Sequence, residues 1–166
     1  MKFVRRAVAT AAACAAALVA VTVSTHANAP HNTANMADSQ PGYAVEDFSY
    51  PNADKIKAEK GIILKRGDGH ITLADCSSAD GLMEVWSRKN GRICFRTTGT
   101  SGYLTLEIPS VFVIRSSDDH TADVTLTVPN TKPQEVEVPK GDWEPVGESI
   151  DPQGREFVLV EIRTHN

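Results

Sequence analysis

The sequence has little cysteine and lacks the short patterns that mark common metal and redox sites. Its 166 residues include three cysteines. No Cys-x-x-Cys, His-Glu-x-x-His or His-x-His pattern occurs, which argues against a zinc site and a dithiol redox centre. No loop has the Asp-x-Asp-x-Asp-Gly spacing that supplies oxygen ligands to calcium. We therefore predict no metal ion and no other cofactor.

Clusters of basic residues are also missing. The chain has 17 lysines and arginines against 21 aspartates and glutamates, and the basic residues are scattered singly among acidic ones. Proteins that bind a phosphate backbone gather Lys and Arg, and binding to anionic lipid needs a similar cluster. The composition thus predicts that nucleic acids and lipid surfaces are not partners.

The first 27 residues have the pattern of a removable export signal. Lys2, Arg5 and Arg6 make the start basic, residues 7–23 are almost purely apolar, and small residues lead to a cut that we place after Ala27. We therefore predict a secreted, extracellular protein with no stable membrane insertion once the signal is removed.

Other interpretations of this segment remain. Arg5-Arg6 is compatible with twin-arginine export, Cys14 with lipid attachment, and a cut after Ala29 also meets the small-residue rule. However, a lipidated cysteine should end the apolar core, which here continues beyond Cys14, and a cut after Ala29 would leave Pro30 next to the broken bond. We favour a cleaved chain without lipid, and the export route stays open.

Signal removal leaves 139 residues, with 14 basic against 21 acidic residues and a formal charge of −7. Residues 28–49 are rich in Asn, Ala, Pro, Ser, Gln and Gly without an apolar period, which predicts a flexible leader. Residues 50–166 are predicted to form a single β domain, because a chain of this length can bury one hydrophobic core. We expect this domain to be a monomer.

Cys76 and Cys94 are the two cysteines beyond the predicted signal. Two thiols in an oxidising compartment are expected to pair. Closing the loop between them should stabilise the fold by roughly 3 kcal/mol on the chain-entropy estimate. A structural disulfide is therefore favoured over a redox or metal role.

The chain after residue 61 reads as short strands separated by turn residues, at spacings typical of sandwiches and barrels. Before it, Pro51 opens a stretch of helix formers that ends at Gly61, which predicts one short helix. The predicted fold is mostly β: an antiparallel β-sandwich or partly open barrel with one short N-terminal helix and one disulfide.

The first predicted hairpin joins residues 62–66 to residues 70–74. An Asp-Gly pair between them favours a tight turn. Alternation along the two strands then places Leu64 opposite Leu73, with one apolar face.

The second predicted hairpin joins residues 82–88 to residues 92–98 around Asn90-Gly91. A two-residue loop would mix polar and apolar side chains on both faces, whereas a three-residue loop with a left-handed Gly91 separates them. We choose the three-residue loop. Its apolar face carries Met83, Val85, Ile93 and Phe95, and its opposed pairs include Glu84 with Arg96 and Trp86 with Cys94.

Later segments alternate plainly between apolar and polar residues. The predicted inward residues are Leu104, Leu106 and Ile108 in one strand and Ala122, Val124, Leu126 and Val128 in another. Residues 111–115 and 157–162 are apolar on both faces, which predicts strands in the middle of a sheet or between two layers. The predicted strand ends are marked by Pro109, Pro129, Pro133 and Pro139.

Residues 116–120, Ser-Ser-Asp-Asp-His, form the densest polar cluster in the sequence. They lie between two predicted strands, where ligand-binding residues often occur. We therefore take Asp118, Asp119 and His120 as candidate ligand contacts. An ordinary solvated loop is the competing interpretation.

Trp86, Tyr103 and Trp143 are the side chains most able to stack on a sugar ring or to anchor a protein partner. Tyr103 falls on the polar face of its strand, and Trp143 lies in a segment rich in prolines and charges. We take Tyr103 and Trp143 as further candidate ligand contacts. The alternative is that each tryptophan covers an edge of the core.

Residues 99–102, Gly-Thr-Ser-Gly, superficially resemble the serine loop of a trypsin-like protease. His70 and Ser101 are too close in the chain, and the chain is too short, for the two barrels that carry such a triad. We predict a turn between two strands here and assign no catalytic residue.

The segments GHITLADC, ICFRTTGTSGYLTLEIPSVFVIR, DDHTADVTLTV and PKGDWEPVGESIDPQG, taken together, resemble a family of small secreted proteins of actinobacteria. The resemblance runs from about Tyr50 to Asn166. It implies an exported domain of this extent and implies no reaction or site residues.

We expect a secreted, non-enzymatic binding or interaction module whose partner is an extracellular protein or a cell-wall polysaccharide. One alternative is a secreted hydrolase that uses Asp118, Asp119 or His120 together with His70 or Glu107 in a concave pocket. The other is a protease inhibitor that presents the turn at residues 99–102 or the Trp143 loop.

Overall fold

A computed structural model describes residues 48–166 of the chain. The predicted signal, its cut site, Cys14 and all but the last two residues of the predicted leader lie outside this part. The elements in chain order are β1 (Phe48–Ser49), α1 (Ala53–Lys60), β2 (Ile63–Gly67), β3 (Ile71–Ala74), β4 (Met83–Ser87), β5 (Gly91–Thr97), β6 (Ser101–Pro109), β7 (Val111–Arg115), β8 (Thr121–Thr127), β9 (Gln134–Val138), β10 (Trp143–Pro145), a 3₁₀ turn (Gly147–Ser149) and β11 (Val158–His165). None of the helices within residues 48–166 has the length and apolarity needed to cross a lipid bilayer.

The strands form two antiparallel sheets. The six-stranded sheet has the order β1-β2-β6-β11-β8-β9, and the five-stranded sheet has the order β10-β7-β4-β5-β3. Neither sheet closes on itself, and buried side chains of both form one hydrophobic core. The predicted sandwich-like, mostly β fold with one short helix and one disulfide is confirmed.

The core is built by alternation along the strands. In the six-stranded sheet it takes every second residue of β6 and β8, and in the five-stranded sheet it takes Met83, Val85, Ile93 and Phe95. These are the inward residues that the sequence pattern predicts, since successive side chains of a strand point to opposite faces. β11 lies between β6 and β8, and β7 lies between β10 and β4, so both predicted central strands are central.

Helix α1 begins and ends close to the predicted positions. Gly61 follows its last residue with φ 68°, and its N–H donates to the carbonyl oxygen of Lys57 at 3.0 Å. A left-handed residue at this position is a common helix end, and glycine adopts it without steric cost.

The first predicted hairpin is wrong. β2 pairs with β6, with Leu64 opposite Leu106, and β3 pairs with β5, with Leu73 opposite Phe95. The turn between β2 and β3 therefore carries the chain from one sheet to the other, and the N–H of His70 donates to the Asp68 carboxylate there at 2.9 Å. Leu64 and Leu73 point into the core whether β2 and β3 pair with each other or lie in facing sheets. Alternation identifies the inward side chains but not the pairing of the strands, so it did not distinguish the two arrangements.

The second hairpin forms with the predicted faces but with a different register. Its three-residue loop is Arg88–Asn90, and Gly91 is left-handed with φ 69°. Glu84 lies opposite Cys94 and Trp86 lies opposite Arg92, two positions away from the predicted partners. A slip of two residues leaves every side chain on its own face, so the face argument could not detect it.

The turn itself explains this register. The hydroxyl of Ser87 accepts hydrogen bonds from the N–H groups of Lys89 and Asn90, both at 3.1 Å. The same hydroxyl donates to the carbonyl oxygen of Pro109 at 2.7 Å. Ser87 thus closes the hairpin opposite Gly91 and anchors it to the end of β6.

The disulfide joins a crossover connection to the strand that it crosses. β3 and β4 lie on either side of β5, so residues 75–82 must pass from one side of β5 to the other. Cys76 in this connection is bonded to Cys94 of β5, with 5.2 Å between the Cα atoms. The predicted pairing is confirmed, and Cys94 is 1% exposed.

Candidate functional site

The outward face of the five-stranded sheet carries aromatic and charged side chains in two rows. In one row, Arg115 of β7 lies opposite Trp143 of β10 on one side and opposite Glu84 of β4 on the other. The second row runs through Pro145, Val113, Trp86 and Arg92. These residues point away from the core because their strand neighbours Val85, Ile93 and Ile114 are buried in it. We call these seven residues the tryptophan face.

The two tryptophans lie diagonally across β7. Their ring centroids are 6.4 Å apart, and the ring planes make an angle of 57°. Trp143 is 49% exposed, and Trp86 is half-buried. An exposed tryptophan beside a second one is a large apolar surface for a flat or ring-shaped ligand.

Glu84 and Arg92 fix the position of the Trp86 indole. The indole Nε1 donates to Oε2 of Glu84 at 3.1 Å, and the Arg92 guanidinium carbon lies 6.0 Å from the ring centroid. Nη1 of Arg92 is also 3.8 Å from the Glu84 carboxylate. A cation over an aromatic face is attracted by the ring quadrupole. The ring is therefore held in one orientation.

Arg115 supports the other end of the tryptophan face. Its Nη1 donates to the carbonyl oxygen of Leu82 at 3.3 Å, and its Nη2 pairs with the Asp118 carboxylate at 2.5 Å. The N–H of Asp118 donates in turn to the carbonyl oxygen of Gly81 at 3.2 Å. Asp118 thus serves to hold Arg115 and the crossover connection beside Trp143.

The loop that precedes Trp143 is bound to the polar cluster at residues 116–120. The N–H of Ser116 donates to the carbonyl oxygen of Asp142 at 3.1 Å, and the N–H of Gly141 donates to that of Ser117 at 2.9 Å. This backbone pairing places the predicted candidates Asp118 and Trp143 in one neighbourhood. The sequence did not indicate that these two residues are neighbours, because Asp118 follows β7 and Trp143 begins β10.

His120 has a structural position. It is 4% exposed, and its Nε2 donates to the carbonyl oxygen of Gly99 at 2.9 Å. Its Nδ1 faces the hydroxyl oxygens of Thr97 at 3.2 Å and Ser117 at 3.4 Å. Because both ring nitrogens have partners within the fold, the imidazole braces the loop. The interpretation of residues 116–120 as a solvated loop is wrong for Ser116, Ser117 and His120, which are buried, while Asp118 and Asp119 are exposed.

Tyr103 lies on the other sheet. It is on β6, and the guanidinium carbon of Arg163 is 4.5 Å from its ring centroid. The five candidate contacts thus separate: Trp143 belongs to the tryptophan face and Asp118 lies beside it. Tyr103 is on the six-stranded sheet, His120 is buried, and Asp119 is exposed. Trp86 was recognised as an aromatic candidate, but Arg92, Arg115, Glu84, Val113 and Pro145 were missed as neighbours of the tryptophans.

Two carboxyl groups with lowered pKa values, Asp151 and Glu156, are not among the seven residues of the tryptophan face. Hydrogen bonds from the side chain and backbone of Arg155 lower the pKa of Asp151 to about 2. Ion pairing with Lys89 and a hydrogen bond from Ser110 lower the pKa of Glu156. Within residues 48–166, no three His, Cys, Asp or Glu side chains are grouped so that they could hold a metal ion.

An open cleft of about 660 Å³ adjoins the tryptophan face. It lies beside the disulfide and the end of α1, and the residues that line it include Lys60, Asp75, Lys89 and Arg92. Arg92 belongs to both features and connects them.

The chain matches no protein-family model, and a search of curated proteins finds no match. The resemblance over residues 50–166 therefore stays a prediction.

Proposed function

We propose that the protein is a secreted, non-enzymatic binding module that holds an extracellular polysaccharide on the tryptophan face and acts as a monomer. The observation that carries this proposal is the pair of outward tryptophans with centroids 6.4 Å apart, one of them 49% exposed. Aromatic ring faces pack against the C–H faces of sugar rings, and amphipathic indoles are favoured at such contacts.

The proposed location outside the cell is supported by two features. The first 27 residues have the pattern of an export signal. The disulfide between Cys76 and Cys94 is of the kind that persists in oxidising compartments.

The size of the apolar surface favours a polysaccharide over a protein partner. The apolar part of the tryptophan face consists of Trp86, Trp143, Val113 and Pro145, and charged side chains flank it. A stable protein interface covers about 800 Å² on each partner and takes about 20–30 residues a side, more than the seven residues of the tryptophan face. Two neighbouring indole rings flanked by carboxylate and guanidinium groups suit a sugar chain, because its hydroxyls both accept and donate hydrogen bonds.

The positions of the acidic and imidazole groups favour binding over hydrolysis. A hydrolase would need Asp118, Asp119 or His120 to converge in a pocket with a free base. His120 is instead buried with both nitrogens engaged, and Asp118 is paired with Arg115. Glu107 is on the six-stranded sheet and pairs with Lys65.

Retention on insoluble polysaccharides tests the proposal. The purified protein is incubated with cellulose, chitin, xylan and isolated cell-wall material, and the bound fraction is measured. Trp143→Ala should weaken the affinity obtained from the bound fraction about tenfold, the loss that corresponds to one stacking contact of about 1.4 kcal/mol. Tyr103→Ala is the matched control, because it removes an aromatic side chain from the other sheet.

Two results would overturn the proposal. One is that no polysaccharide, neutral or acidic, retains the protein. The other is that Trp143→Ala and Tyr103→Ala reduce retention equally. Unfolding midpoints of both variants establish that each is folded.

A further inference from the structure

The tryptophan face continues into a cleft with two cations at its border. The ring centroids of Trp143 and Trp86 are 6.4 Å apart, and the guanidinium carbon of Arg92 lies 6.0 Å from the Trp86 centroid. Arg92 also lines the cleft of about 660 Å³, whose wall includes Lys60 at the end of α1. A ligand that stacks on the tryptophans therefore reaches this cleft without crossing the core.

The charged side chains that line the cleft differ in how closely they are paired with opposite charges. Lys89 pairs with Glu156 at 2.8 Å, and Glu59 lies 3.8 Å from Lys55. Lys60 makes no ion pair with any residue in the described range 48–166, and Arg92 is held only loosely by Glu84 at 3.8 Å. Lys60 and Arg92 are the cations left to meet a ligand.

The one remaining carboxylate of the cleft, Asp75, is directed into its own turn. It accepts hydrogen bonds from the N–H of Ser77 at 2.9 Å and from the Ser77 hydroxyl at 2.7 Å. These bonds, with smaller contributions from Lys60 and Arg92, lower the pKa of Asp75. The ionised Asp75 offsets part of the charge of the two cations, and the lining of the cleft keeps a positive balance, with Lys60, Lys89 and Arg92 against Glu59 and Asp75.

The opposite side of the sandwich has the reverse charge. The outer surface of the six-stranded sheet has a shallow depression lined by Asp123, Glu135, Glu137 and Glu161, with Arg163 as its one cation. An acidic polymer is repelled from that side and attracted to the five-stranded sheet, since charge complementarity orients an encounter.

We infer that the polysaccharide on the tryptophan face is acidic, and that an anionic group of it enters the cleft between Lys60 and Arg92. This inference rests on the proposed function. The sugar rings stack on Trp143 and Trp86, and the carboxylate or sulfate of a following residue pairs with the two cations. Charge-assisted hydrogen bonds of this kind are stronger than those to neutral hydroxyls.

Matched pairs of polymers test the inference. Binding of the purified protein is measured against polygalacturonate and its methyl-esterified form, and against dextran sulfate and dextran. In each pair the backbone is the same and the charge differs. We expect the charged member to bind more tightly and its affinity to fall with added salt, because salt screens exposed charges.

Two lysine variants locate the charge contact. Lys60→Gln should weaken binding of the charged polymers about three- to fivefold, the effect of one exposed ion pair, and leave binding of the neutral ones unchanged. Lys57→Gln is the matched control, since Lys57 is also in the last turn of α1 and is not among the residues that line the cleft. Unfolding midpoints confirm that both variants are folded.

The outcomes separate the inference from the proposed function. Equal binding of charged and neutral polymers, with loss of both in Trp143→Ala, overturns the inference and leaves the proposed function standing. Equal effects of Lys60→Gln and Lys57→Gln also overturn the inference, because the charge effect would then be general. A preference for polygalacturonate alone, or for dextran sulfate alone, supports it and identifies the anionic group.

Discussion

Nε2 of His120 donates a hydrogen bond to the carbonyl oxygen of Gly99 at 2.9 Å, and this contact joins two connections between the sheets. Gly99 lies between β5 and β6, and His120 lies between β7 and β8. Both connections pass from the five-stranded to the six-stranded sheet. One imidazole therefore holds together two of the connections by which the chain changes sheets.

Replacing His120 by alanine should destabilise the fold by about 1–3 kcal/mol, because the partners at Thr97, Ser117 and Gly99 lose a buried hydrogen-bonding group. Asp119→Ala is the control, since Asp119 is exposed and the change should lie within about 0.5 kcal/mol. Urea unfolding measures both. Equal effects of the two substitutions would contradict the bracing role of His120.

Replacing Cys76 and Cys94 together by serine should lower the free energy of unfolding by roughly 3 kcal/mol, because the unfolded chain is no longer constrained. Reduction of the wild-type protein should bring its unfolding midpoint to that of the double variant. Peptide mapping of the untreated protein should recover the two cysteines in one linked peptide. Recovery of both as free thiols would refute the bridge.

The contact between Glu84 and the Trp86 indole can be followed by fluorescence. The sequence has two tryptophans, so Trp143→Phe leaves emission from Trp86 alone. In that background, Glu84→Ala should increase quenching by acrylamide, because the indole N–H loses its acceptor. Glu84→Gln keeps an oxygen that can accept, and its quenching should stay near that of the parent. Identical quenching of the two variants would show that Glu84 does not hold the ring.

The ion pair between Asp151 and Arg155 predicts a dependence of stability on pH. Folding lowers the pKa of Asp151 from 3.8 to about 2, chiefly through the hydrogen bond from the Arg155 side chain. A lowered pKa means that the ionised carboxylate favours the folded state above about pH 4. This contribution is lost as the pH falls towards 2.

Asp151→Asn removes the titrating group. The melting temperature of the variant should lie below that of the wild type at pH 6, and the gap should narrow between pH 4 and pH 2. Arg155→Gln should produce the same pattern, because it removes the other partner. A gap that is independent of pH would exclude the ion pair as its cause.

Much of the fold was predictable because it depends on neighbours along the chain. Alternation identified the inward residues of β6 and β8, and Pro51 and Gly61 delimited the helix, since these signals act over a few residues. The faces of the second hairpin were predicted for the same reason. Its register was not, because the hydrogen bonds of Ser87 to the turn and to Pro109 fix it, and no alternation pattern contains them.

The site was predictable only in part. Trp143 and Trp86 were predicted as candidate contacts from their chemistry, and Asp118 from its position in a polar loop. That they are neighbours, and that Arg92 and Arg115 lie beside them, follows from the order β10-β7-β4-β5. The composition had argued against any basic cluster, because the arginines are scattered along the chain.

The order of residues by itself determined which side chains face inward, where the helix lies and which cysteines pair, because each depends on local periodicity or on the number of available partners. The tertiary structure alone decided that β2 and β3 belong to different sheets and that two tryptophans and two arginines share one surface. The physical reason is that a strand buries its apolar side equally well in several pairings. Only the combined geometry of turns, crossover connections and the disulfide selects one of them.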